Sequence, residues 1–210
     1  MQPEKRAVTT MLFGDSFDSD TRDSPKWREE FLSTLAAAEA ALGERDPSFT
    51  INCIVMGPTG KNRIELGRGG NSGTALGQVT FRLERRCWRD PEHRAGILAH
   101  EVVHFLNPIV VCRISCLEEG VAEHFASDYY ISLFGREWTE QNANARYRDA
   151  LNDVRRLTEM CPLAIMNLRG RSRRSLSVLK STDLLQACPA CPPELAKRLT
   201  QRFYPPSFPG

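Results

Sequence analysis

The chain has 210 residues, enough to bury a core as one compact domain or as one domain of two lobes. Its 41% hydrophobic and 26% charged composition argues against disorder as the default, and 28 basic against 26 acidic residues, mostly intermixed, give little support for nucleic-acid binding. No stretch approaches the length of a membrane span, and the N-terminal MQPEKRAVTTMLFGDSFDSD lacks the apolar run of a secretory signal, so a cytoplasmic protein is expected, with no nucleic-acid and no membrane partner.

The first predicted element is a strand at 6–13, RAVTTMLF, followed by an acidic loop and a helix from about Pro25 to Leu42. Trp27, Phe31, Leu35 and Ala38 recur there at helical spacing, and Gly43 is a plausible stop. Residues 49–56, FTINCIVM, alternate as a strand does before the Pro58-Thr59-Gly60 turn. A shorter strand from Arg63 to Leu66 enters the glycine-rich GRGGNSG, which lacks the Lys-Ser/Thr of a phosphate-binding loop and reads as a mobile loop. Residues 78–85, QVTFRLER, form the next strand.

A helix then opens with Asp90 as N-cap and Pro91 in the first turn, and ends near Asn107-Pro108. A second should begin at Ser115, where Ser115-Cys116-Leu117-Glu118 has the capping-box pattern, and run to Leu133 with Gly135 as its stop. The remainder reads as helical at about 139–159, 162–168, 182–188 and 192–203. The predicted architecture is α+β: one catalytic domain, with residues 1–108 as an N-terminal lobe of small mixed sheet and helices, and 109–210 as a C-terminal helical lobe. The basic run Arg169 to Arg174 reads as a solvated loop, and the seven cysteines as mostly buried free thiols rather than a four-thiolate zinc site of Cys112, Cys116, Cys188 and Cys191.

Chemistry concentrates in His100-Glu101-Val102-Val103-His104. At about 3.6 residues per turn the two histidines fall one turn apart on one face, so both imidazoles can reach one Zn2+ ion. Glu101 swings to the flank of that ion, where it can take a proton from water. His93 lies two turns away, too far to share the metal.

A catalytic zinc needs a third protein ligand, and the next helix offers Glu118, Glu119, Glu123 and His124. Glu118 is engaged by the capping box, whereas Glu119 precedes Gly120, which leaves room for a close helix-to-helix approach. Glu123, four residues on, shares the face of Glu119 and can accept a hydrogen bond from the far nitrogen of a metal-bound histidine. His124 points about 100° away. For the oxyanion donor of a hydrolysis, Tyr129, Tyr130 and Tyr147 are candidates, with Tyr130 on the face of Glu119.

HEVVH followed by LEEGVAEHFA resembles the gluzincin zinc metallopeptidases, the thermolysin and zinc-aminopeptidase type, over about residues 90–130. That resemblance implies a zincin-like fold, Glu119 as third ligand, Glu123 as the carboxylate orienting a ligand histidine, and the strand at 78–85 as the sheet edge that pairs with an extended substrate. No aminopeptidase exopeptidase motif is recognisable upstream. The expected function is therefore zinc-dependent hydrolysis of a peptide or protein substrate, with His100, His104 and Glu119 on the metal, Glu101 as base and Tyr130 as donor. A zinc hydrolase of a non-peptide amide and a catalytically silent zincin-fold binding module stand as alternatives, the intact Glu101 speaking against the second.

Overall fold

The structure is a computed structural model that describes residues 24–57, 62–67, 77–108, 114–138, 145–172 and 175–203. In chain order its elements are α1 (Ser24–Leu42), β1 (Phe49–Gly57), β2 (Arg63–Gly67), β3 (Gly77–Glu84), a 3-10 turn (Arg85–Trp88), α2 (Pro91–Leu106), α3 (Cys116–Phe134), α4 (Ala145–Met160), α5 (Ala164–Ser172), a 3-10 turn (Leu176–Val178), α6 (Ser181–Ala187) and α7 (Pro193–Leu199). The expected strand at 6–13, the turn at 58–60 and residues 68–73 of the glycine-rich stretch lie outside the described residues.

The period-two pattern of β3 organises the N-terminal half. Val79, Phe81 and Leu83 are buried on one face, while their neighbours are partly exposed. β3 pairs parallel with β1 and antiparallel with β2, giving the order β1-β3-β2 and a mixed sheet. The expected edge role of the strand at 78–85 is corrected by this order, because both sides of β3 are already hydrogen-bonded; among the described residues the edges belong to β1 and β2.

Helix α1 lays its buried stripe of Trp27, Phe31, Leu35 and Ala38 against this sheet and α2. Phe31, Phe81 and Phe105 meet edge to face, with centroids 5.1 to 6.1 Å apart, and burying each ring contributes about 1.5–3 kcal/mol. Arg94 ties α2 to α1: its guanidinium donates to both carboxylate oxygens of Glu30 at 2.7 and 2.9 Å, donates to the Cys87 carbonyl at 2.9 Å, and covers the Trp27 ring at 4.5 Å. Gly43, at φ 97°, closes α1 in the left-handed region that a side chain would strain.

The two site-bearing helices begin and end as their sequences dictate. The Asp90 carboxylate accepts the His93 N–H at 3.0 Å, with Pro91 behind it. Ser115 Oγ accepts the Glu118 N–H at 3.2 Å, and Gly135 ends α3 at φ 66° with its N–H on the Ile131 carbonyl. Only half of the expected capping box forms, because the Glu118 carboxylate turns inward instead of back to the Ser115 N–H. Gly120 does permit a close approach, but to α4: a Cβ there would land on the Ala150 carbonyl oxygen and within 2.6 Å of Val154 Cγ2.

Two further expectations are corrected in the C-terminal half. α5 continues to Ser172, and Arg169, expected in a solvated loop, is buried with its guanidinium donating to the Glu44 carbonyl at 3.2 Å. Burial pulls that guanidinium down to about 10, with the charges of Glu118 and Glu39 acting in the opposite direction. Cys161 and Cys188, expected as free thiols, are joined by a disulfide across 27 positions, linking the end of α4 to the end of α6. Cys87, Cys116 and Cys191 are free thiols, as expected. The whole is the α+β, zincin-like arrangement: a small mixed sheet, the HEVVH helix α2 and a C-terminal lobe of helices.

Candidate metal centre

Helices α2 and α3 pack against one another and bury six ionisable side chains between them: His100, Glu101, His104, Glu118, Glu119 and Glu123. Six such groups cannot share a dry interface unless their charges and hydrogen bonds compensate. One turn of α2 separates the histidines, whose rings stand 5.0 Å apart with their Nε2 atoms facing each other at 3.2 Å. Glu119, from the first turn of α3, brings Oε2 to 3.3 Å from His100 Nε2 and 3.9 Å from His104 Nε2. Among the described residues these three side chains form a group able to hold a metal, their ligand atoms all within 4.8 Å of one another.

The far nitrogens explain why the near ones converge. His104 Nδ1 lies 3.0 Å from Glu118 Oε1, so that nitrogen carries the proton and Nε2 is left with its lone pair. His100 Nδ1 lies 3.0 Å from Glu123 Oε1, off the line of a well-aligned hydrogen bond yet close enough to bias the same tautomer. Two lone pairs and a buried carboxylate oxygen with no hydrogen-bond donor, Glu119 Oε2, are then aimed at one point. With both imidazoles neutral that arrangement is repulsive; a proton on a histidine relieves it in part, and a divalent cation answers it with two nitrogens and one oxygen, the donor set of a catalytic zinc.

Titration behaviour reflects the same demand for positive charge. Burial opposes protonation of His100, but the carboxylates of Glu119 and Glu123 outweigh it and lift the imidazole well above its ordinary value. His104 is raised as well, burial again being overcome, here by Glu118 and Glu119. Burial would raise Glu118, yet hydrogen bonds from His104, Ser175 and Ser177 hold it below the usual carboxylate value. Glu101 is raised, chiefly by burial, with the two histidines pulling the other way.

The structure brings together His100, Glu101, His104, Glu119 and Glu123. It shows in addition that Glu118 belongs to the cluster, where the sequence reading had assigned it to helix capping. Ser175 and Ser177, which hold Glu118, carry no signal in the sequence, since nothing in a pair of serines more than fifty positions away marks them. His93 sits apart, as expected, with Nε2 2.7 Å from Glu84 Oε1. His124 faces away from the metal ligands, with Nδ1 3.2 Å from Asp128 and Nε2 3.4 Å from Thr158 Oγ1. Tyr130 is buried against Trp138, and its hydroxyl donates to Glu92 at 3.1 Å in the first turn of α2; Tyr147 stacks edge-on to His100 at a centroid distance of 6.3 Å.

No protein-family model matches the chain, and no curated protein or solved structure is significantly similar to it. The class of the site therefore rests on its own geometry: His100-Glu101-x-x-His104 with Glu119 matches the active site of the HExxH gluzincin zinc peptidases. The arrangement is consistent with a catalytically competent metallohydrolase centre built for a single divalent metal, and its donor set is that of Zn2+. No helix among the described residues is long and apolar enough to cross a membrane.

Proposed function

We propose that this chain is a zinc-dependent metallopeptidase that hydrolyses peptide bonds in a peptide or protein substrate. The observation that carries this reading is the convergence of His100 Nε2, His104 Nε2 and Glu119 Oε2, with Glu101 buried beside them on the same helix. Zinc held by these three ligands would supply Lewis-acid polarisation of the scissile carbonyl and a more acidic water.

Glu101 takes the proton of the attacking water and returns it to the leaving amine, a task suited to a carboxylate whose affinity for protons burial has raised. Glu123 and Glu118 keep His100 and His104 turned with Nε2 toward the centre. Of the candidate donors to the developing oxyanion, the Tyr147 ring stands beside His100, whereas the Tyr130 hydroxyl donates to Glu92 in the first turn of α2. β2 contacts α2 and, among the described residues, pairs on one side only, which suits an extended backbone adding antiparallel to its free edge. The Cys161–Cys188 disulfide favours an oxidising compartment over the cytoplasmic one that the sequence suggested.

The test is elemental analysis combined with cleavage of an unstructured polypeptide. One zinc per chain is expected, lost in Glu119→Ala, together with chelator-sensitive cleavage that Glu101→Gln reduces by about 10²–10⁴-fold. Full zinc occupancy with no cleavage of any polypeptide, but turnover of small amides, would move the activity to a non-peptide substrate.

A further inference from the structure

Glu118 is backed by a second layer of the protein that reaches it from the C-terminal half. Oε1 faces His104, while Oε2 accepts three hydrogen bonds: from the Ser175 hydroxyl, from the Ser177 hydroxyl at 2.6 Å and from the Ser177 N–H at 3.0 Å. The direction of the Ser177 hydroxyl is fixed by its neighbour. Ser177 Oγ accepts the Ser115 N–H at 3.0 Å, so its own proton is left to point at Glu118. The Ser177 N–H is shared between Glu118 Oε2 and Ser175 Oγ, the latter at 3.1 Å, which leaves the Ser175 proton to point at the same carboxylate oxygen. The 3-10 turn at Leu176–Val178 thus closes over the N-terminus of α3 and grips one oxygen of one carboxylate with three donors.

We propose that Ser175 and Ser177 are positioning residues for the metal centre: through Glu118 they lock His104 in the orientation and tautomer that present Nε2 to the metal, and so set metal affinity. This rests on the zinc-centre reading above. A carboxylate holding only His104 could rotate about its terminal bond, and that rotation would loosen the imidazole. With Oε2 gripped by these donors the rotation is blocked, and Oε1 is held as the acceptor for His104 Nδ1–H. The distance in sequence makes the C-terminal half a requirement for binding a metal whose ligands all lie between residues 100 and 119.

The experiment is a zinc titration against a chromophoric chelator on the full chain, using wild type, Ser175→Ala, Ser177→Ala, the double alanine variant and Ser175→Thr/Ser177→Thr. The double alanine variant should bind zinc about 10–100-fold more weakly, each single variant less so, and the threonine pair, which keeps both hydroxyls, should recover most of the loss. In the zinc-loaded protein the downfield proton resonance of His104 Nδ1–H should be sharp in wild type and broadened by exchange in the double alanine variant. Far-UV circular dichroism in chelator identifies any variant that misfolds, in which case the single variants carry the comparison. Zinc affinity and a His104 resonance unchanged in folded variants would overturn the clasp while leaving the metal centre intact; a wild type that binds no zinc would overturn both.

Discussion

Helix α2 is buried on two sides, and the two are held by different physics. On one side Phe105 meets Phe31 and Phe81 in an aromatic cluster at the sheet; on the other His100, Glu101 and His104 meet the carboxylates of α3. The apolar side is favourable by itself, needing only volume and exclusion of water. Burial of the polar side is favourable only when each charge and donor is answered, and Glu119 Oε2 accepts no hydrogen bond there. Fold stability and metal affinity are therefore separable properties of a single helix.

Phe105→Ala should cost about 3–5 kcal/mol of unfolding free energy, and by the same amount in excess zinc as in chelator. Urea unfolding in both conditions reads this directly, and a loss confined to one of them would show the two sides to be a single energetic unit. Zinc at a thousand times its Kd should stabilise the wild type by about 4 kcal/mol, a gain that Glu119→Ala abolishes. Thermal melts with and without chelator measure it, and a zinc-dependent shift persisting in the variant would place the metal elsewhere.

Cys87 brings pH dependence to the apolar side. Burial, reinforced by the charge of Glu84, pushes its thiol from 9.0 up to about 12. A folded value above the unfolded one means that this contribution is complete below pH 9 and is lost as pH rises from 9 toward 12. The loss should reach about 2 kcal/mol at about pH 10.5, and Cys87→Ala should flatten that part of the stability curve. An unchanged alkaline limb in the variant would exclude Cys87 as its source.

Gly120→Ala tests the point where packing and metal binding meet. The added methyl has no room against Ala150 and Val154, so α4 must shift, at a cost of about 1–3 kcal/mol. Because Glu119 is the preceding residue, zinc affinity should fall as well, which paired denaturation and metal titration would show. A loss of stability with unchanged zinc affinity would mean that α3 holds its ligand independently of α4.

Much of the site was legible because its signal is local. A histidine pair at i and i+4 with an intervening glutamate dictates one helical face, and caps such as Asp90, Ser115 and Gly135 are satisfied within a few residues of themselves. Glu123 was legible for the same reason, lying one turn beyond Glu119. Glu118 was misread because its local pattern and its tertiary environment compete: a capping box would leave it at the helix end, but His104, Ser175 and Ser177 together offer its carboxylate more hydrogen bonds. The edge assignment of β3 failed because alternation specifies which face of a strand is buried, not which strands flank it.

The sequence by itself determined the helices α1 to α3, the strands that alternate, and the pair His100 and His104 with Glu101 between them, since each depends on spacing within one element; the gluzincin resemblance added Glu119, on the adjacent helix, as the third member of the group able to hold a metal. Only the tertiary structure decided that β3 is central, that Arg169 is buried, that Cys161 meets Cys188, and that Ser175 and Ser177 stand behind His104. Such pairings join residues far apart in the chain, and they exist because packing the helical lobe onto α3 leaves each buried polar group to find its partner among whatever segments the fold has brought near.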